Sequence, residues 1–85
     1  MRVLIPSPLR SYTGAREVAA EGATLGEALA DLDEQFPGLR FRVVDEQGNL
    51  RQHVRFFTGG EQVFELAARL DPQGELVIVQ ALSGG

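Results

Sequence analysis

One segment limits what this chain can become: residues 24–36 carry an amphipathic helix, and nothing of similar length or regularity lies on either side. Thr24 followed three residues later by Glu27 is a capping box. The hydroxyl can accept from an orphan amide while the carboxylate reaches back to the capping residue. Leu25, Ala28, Leu29, Leu32 and Phe36 recur at helical spacing, and Glu27, Asp31 and Glu34 fall on the opposite, solvated face. Pro37-Gly38 stops the helix after about three turns. The rest of the chain reads mostly as strands. One helix cannot cover both faces of a sheet, so the expected class is α+β. The expected architecture is a mixed sheet of four to five strands curled around one main helix.

Residues 2–5 read as the first strand, ended by Pro6 and Pro8. Thr13-Gly14 marks a turn, and residues 16–20 read as the hairpin partner of the first strand. Residues 41–44 are expected as a strand, 45–49 as a turn, and 50–58 as a long extended stretch. Gly59-Gly60 is a two-residue hairpin signal with a short return strand at 62–64. Phe64, Leu66, Ala67 and Leu70 suggest a helical turn ahead of Asp71-Pro72-Gln73-Gly74, a β-turn sequence. Residues 75–81 form the final strand. Its unbroken run Leu76, Val77, Ile78, Val79 reads as a central strand buried on both faces.

Composition removes most chemistries. The 85 residues suit one small domain. There is no cysteine, which excludes disulfides, thiolate metal sites and thiol nucleophiles. The single histidine, His53, has no partner at metal-ligand spacing, and no carboxylate cluster replaces one, so no metal site is expected. All eight basic residues are arginine, so no lysine is present to form a Schiff base or to accept a second copy of the chain. A net charge of −4 argues against a nucleic-acid surface. With no signal-peptide pattern and no apolar run near membrane-spanning length, the expected location is cytoplasmic, with no membrane partner.

The sequence ends Leu82-Ser83-Gly84-Gly85 directly after the final strand. Glycine has no Cβ, so paired glycines make a segment thin enough to thread a narrow channel. Four extended residues reach roughly 13–14 Å. A folded domain over residues 1–81 with a flexible diglycine tail over 82–85 is the expected division. An α-carboxylate there would be ionised at neutral pH, its ordinary pKa being about 3.3–3.7.

These features together resemble the ubiquitin-like sulfur carriers, the family of the molybdopterin synthase small subunit and the thiazole-synthesis sulfur carrier. The matching residues are Val3-Leu4-Ile5, Leu9-Arg10, Thr13-Gly14, Thr24-Leu25 and the final strand running into Leu82-Ser83-Gly84-Gly85. Residues 5–14, and the long segment 41–58, are most similar to the carriers that deliver sulfur for cysteine synthesis, with the molybdopterin type next. The chain departs from many relatives at Phe57-Thr58-Gly59-Gly60, where they place Val-Asn before the turn. The resemblance implies a β-grasp fold with the first and last strands adjacent and parallel. It implies that Gly85 is adenylated and then carries sulfur as a thiocarboxylate, while Gly84, Ser83 and Leu82 thread and seat the tail. No catalytic side chain is implied, so the chain is a protein co-substrate and not an enzyme by itself. It binds no cofactor, ATP being used by the activating partner. The implied partners are an E1-like adenylyltransferase/sulfurtransferase and an acceptor, either cysteine-synthase-like or the molybdopterin synthase large subunit. A ubiquitin-like modifier joined to targets through Gly85 and a non-catalytic interaction module are the alternatives.

Arg10, Phe57 and Val79 are the candidate docking residues. Phe56 and Phe57 point to opposite faces of a regular strand, so one belongs to the core and the other to a contact surface. Arg40, Arg42, Arg51 and Arg55 cluster in sequence, and alternation would put Arg51 and Arg55 on one face. His53 reads as a surface residue, and Asp31, Asp33 and Glu34 as a wet helix face.

Overall fold

The structure, a computed structural model, describes residues 1–81. The expected tail, Leu82, Ser83, Gly84 and Gly85, and the boundary drawn before it lie outside the described residues. The elements in chain order are β1 (Arg2–Leu4), a 3-10 turn (Ser7–Leu9), α1 (Arg10–Thr13) and β2 (Glu17–Ala19). Then come α2 (Leu25–Gln35), α3 (Leu39–Val43), β3 (Val54–Thr58), β4 (Glu61–Val63) and β5 (Glu75–Gln80). The five strands form one sheet in the order β2-β1-β5-β3-β4. β5 lies in the centre, parallel to β1 and antiparallel to β3. The two outer pairs, β1–β2 and β3–β4, are antiparallel hairpins. This is the β-grasp arrangement, with the first and last strands side by side.

Side-chain alternation sorts the sheet into two faces. Val3, Val54, Phe56, Leu76 and Ile78 turn inward and are buried with Leu25, Ala28, Leu29 and Leu32 of α2. Each such large apolar side chain stabilises the fold by about 1.5–3 kcal/mol when removed from water. The Thr24 hydroxyl accepts from the Glu27 amide at 3.2 Å. The Glu27 carboxylate accepts from Ala23 N–H at 2.9 Å, one residue earlier than the capping residue expected. The β3–β4 turn rests on Gly59 and Gly60, at φ +59° and +83°. Two successive positive φ values give the primed turn whose twist matches the flanking strands.

Five expectations need correction. Residues 41–44 are not a strand; Leu39–Val43 is helical. Leu39 and Val43, four residues apart, are both buried on one side of that helix. The Asp33 carboxylate holds its start by accepting from Gly38 N–H and Arg40 N–H, each at 3.1 Å. Asp33 therefore joins two helices and is not simply part of a wet face. Likewise, Asp31 accepts from Glu21 N–H at 3.0 Å. The extended stretch is shorter than expected, since only Val54–Thr58 belongs to the sheet and Leu50 makes an isolated bridge with Val44. Residues 64–70 form no helix; a single turn at Glu65–Ala68 is followed by a bridge between Arg69 and Thr24. Last, β5 is central but buried on one face only: Leu76 and Ile78 are covered, Val77 is half-buried and Val79 is 43% exposed.

Candidate functional site

The exposed side of β5 is where an apolar sheet surface lacks a cover. The register sets Leu4 beside Val77, Val77 beside Phe57, and Phe57 beside Gln62, so one row crosses four strands. One step along β5 toward its C-terminal end, Val79 pairs with Arg55. In the other direction the face turns ionic: Arg2 Nη2 meets Glu75 Oε2 at 2.6 Å, with Glu17 at 3.8 Å from Arg2 Nε. The apolar part of the face is therefore the row through Val77, with the Arg2–Glu75 pair on one side and Val79 beside Arg55 on the other.

Two grooves flank Val77. One, about 360 Å³, runs between β5 and the segment that follows β1, lined by Leu4, Pro6, Pro8, Arg10, Val77 and Val79. The other, about 450 Å³, lies beside Phe57, Gly59, Gly60, Asp71, Glu75 and Val77. Val77 is the ridge between them. Two features hold the first groove's wall. Leu9 is buried and anchors the short helical segment. Arg10 Nε donates to the Ile5 carbonyl at 3.0 Å, which fixes the guanidinium at the groove edge.

Of the candidate docking residues, Phe57 and Val79 lie on this outer face, and Arg10 shares a groove with Val79. Phe56 and Phe57 divide as expected, the first fully buried and the second half-buried on the other side. Leu4 and Val77 belong to the same surface and were missed. In the run 76–79 all four residues are apolar, which hides the alternation that would have exposed Val77. The pairing of Val77 with Leu4 depends on a partner more than seventy residues away. Arg51 and Arg55 do not share a strand face, because Arg51 sits in the loop before β3. His53 is exposed. Among the described residues no group of histidine and carboxylate side chains could hold a metal ion, and no helix is long and apolar enough to cross a membrane.

A β-grasp domain with an uncovered apolar sheet face beside the exit of its last strand belongs to the ubiquitin-like class of carriers and modifiers. The chain belongs to the ThiS family, whose family model matches residues 3–85. It is 34% identical over 89 aligned positions to the sulfur carrier protein CysO of Mycobacterium tuberculosis, covering 98% of this chain and 96% of that protein. Among solved structures it resembles a chain of the Amycolatopsis orientalis BexX/CysO complex. That match has a TM-score of 0.90 at 32% identity, over 99% of this chain and 98% of that one. It also resembles SAMP1 of Haloferax volcanii, with a TM-score of 0.80 at 31% identity over 100% of this chain and 98% of the other.

Proposed function

We propose that this protein carries sulfur on the α-carboxylate of Gly85 for cysteine biosynthesis. The observation that carries the reading is the half-buried apolar row Leu4, Val77, Phe57 with exposed Val79, centred on the strand that precedes the diglycine segment in sequence. A partner seated on that face is placed to receive the segment that follows. An E1-like adenylyltransferase/sulfurtransferase is the first such partner. The carboxylate oxygen attacks the α-phosphorus of ATP, pyrophosphate leaves, and an acyl-adenylate forms. Hydrosulfide then attacks the acyl carbon, AMP leaves with the C–O bonding pair, and loss of the S–H proton gives the thiocarboxylate. Adenylation is needed because an ionised carboxylate is a poor acyl donor, and AMP is a good leaving group. The domain contributes recognition and reach, and the partners contribute the reactive groups. Leu82, Ser83 and Gly84 thread the channel, and Arg10, Phe57 and Val79 dock.

The cysteine-synthase-like acceptor is favoured over the molybdopterin synthase large subunit by the similarity to CysO along nearly the whole chain. Incubation with ATP, the activating enzyme and a sulfide source should raise the mass by the exchange of one oxygen for sulfur. An unchanged mass would end the proposal. Gly84→Val should fold normally and lose adenylation, because its Cβ and methyls widen the segment that must pass the channel. Normal adenylation of that variant would refute the threading role.

A second reading, a protein modifier, is favoured by the similarity to the small archaeal modifier protein SAMP1 of H. volcanii. It predicts a ladder of conjugates through Gly85 on target lysines, where the carrier reading predicts one free species of altered mass.

A further inference from the structure

Residues 40–55 hold four of the eight arginines, Arg40, Arg42, Arg51 and Arg55, but only two of the twelve acids, Asp45 and Glu46. The rest of the chain is therefore strongly acidic and this stretch is basic. The fold gathers part of it into one pocket of about 280 Å³, lined by Phe41, Arg42, Arg51 and His53. Arg51 is held in place twice: its guanidinium lies 4.9 Å over the centre of the Phe41 ring, and its Nε donates to the Phe41 carbonyl at 2.9 Å. Such stacking leaves the outer edge of a guanidinium free to donate. Phe41 itself is 56% exposed. Asp45 is the acid that feels Arg51, but its Oδ1 already accepts from Gln47 and Asn49 N–H. Among the described residues close ion pairs involve Arg2 alone; Arg51 feels the charge of Asp45 without a close pair, and Arg42 has no close acidic partner.

The pocket's position gives this charge a use. The Ala81 N–H donates to the carbonyl of His53 at 2.8 Å, so the last described residue lies beside this pocket. We infer that Arg42 and Arg51 form a second docking point, which engages carboxylates on the rim of the activating enzyme's channel as the tail enters. The inference rests on the carrier reading and adds a partner chemistry to it. Each guanidinium matches carboxylate geometry and can bind one bidentately. Charge at an interface rim chiefly governs encounter rate and its salt dependence. The apolar face supplies contact area; the basic pocket supplies orientation around the tail.

The test is adenylation kinetics, read by ATP–pyrophosphate exchange with the E1-like activating enzyme. Arg42→Glu, with Arg51→Glu as a second variant, should raise the KM for the carrier about tenfold at low ionic strength with kcat unchanged. The difference should shrink toward 1 M salt, where charges are screened beyond about 3 Å. Circular dichroism should match the wild type for Arg42→Glu, whose side chain is exposed. A KM equal to that of the wild type would overturn the inference while leaving the carrier reading intact. So would an effect confined to transfer to the acceptor. Inhibition by millimolar inorganic phosphate beyond that of sodium chloride at equal ionic strength would also overturn it, by making the pocket a phosphate site. A wild-type protein that is not adenylated at all would refute the carrier reading first.

Discussion

Asp45 shows how one side chain can organise a loop at the surface. Its Oδ1 accepts from Gln47 N–H and Asn49 N–H, both at 2.9 Å, and the turn closes with Asp45 N–H donating to the Asn49 carbonyl. The hydrogen bond from Asn49, with help from Gln47 and the charge of Arg51, holds the Asp45 carboxyl below its ordinary pKa. A carboxyl with a lowered folded-state pKa adds stability that is present above its unfolded pKa. That stability is lost as pH falls through the lowered folded value. An NMR titration should place the Asp45 midpoint below the usual aspartate value of about 3.9. A midpoint at or above it would contradict the turn geometry.

At the scale of elements, α3 is the instructive case. Phe41, Arg42, Val43 and Val44 alternate well enough to read as a strand, yet Leu39–Val43 is helical and only Val44 is extended. Local alternation was overruled by Asp33 capping from the preceding helix and by burial of Leu39 and Val43 on one helical side against the rest of the core. Leu39→Ala should therefore cost about 2–5 kcal/mol in chemical denaturation, as expected for a filled core position. Phe64→Ser should change stability by less than about 0.5 kcal/mol, since Phe64 is 74% exposed despite its bulk. Reversal of that order would mean the helix is not packed as described. The main helix was easier to read because its signals are all local: a capping hydroxyl, a periodic stripe and a stop. The Gly59-Gly60 hairpin was legible for the same reason, both residues adopting positive φ.

Over the whole molecule, the sheet is covered on one side and open on the other. The helix α2 and its neighbours fill the inner face, and the outer face keeps an apolar row. Placing a charge there should leave the fold alone and damage recognition. Val79→Asp should keep the wild-type melting temperature within a few degrees. It should also raise the KM of adenylation by about tenfold or more, given that loss of a central interface contact costs about 2 kcal/mol. If the variant is adenylated normally, the activating enzyme docks elsewhere.

What could be read from the residues alone was whatever repeats or closes over a few positions: the capped helix, the glycine hairpin, the strand-forming ends and their diglycine continuation. The family resemblance came from the same short matches. Tertiary structure alone decided which apolar residues stay uncovered, because exposure depends on what distant segments lay over a side chain. Val77 and Ile78 are neighbours of similar chemistry, and only the helix beneath the sheet makes one of them core and the other part of an open surface. The same reason explains the basic pocket. Arg42 from the short helix α3 and Arg51 from the loop before β3 line one pocket because Arg51 is tied to Phe41 and Val43, and the Ala81–His53 hydrogen bond brings the last described residue beside it.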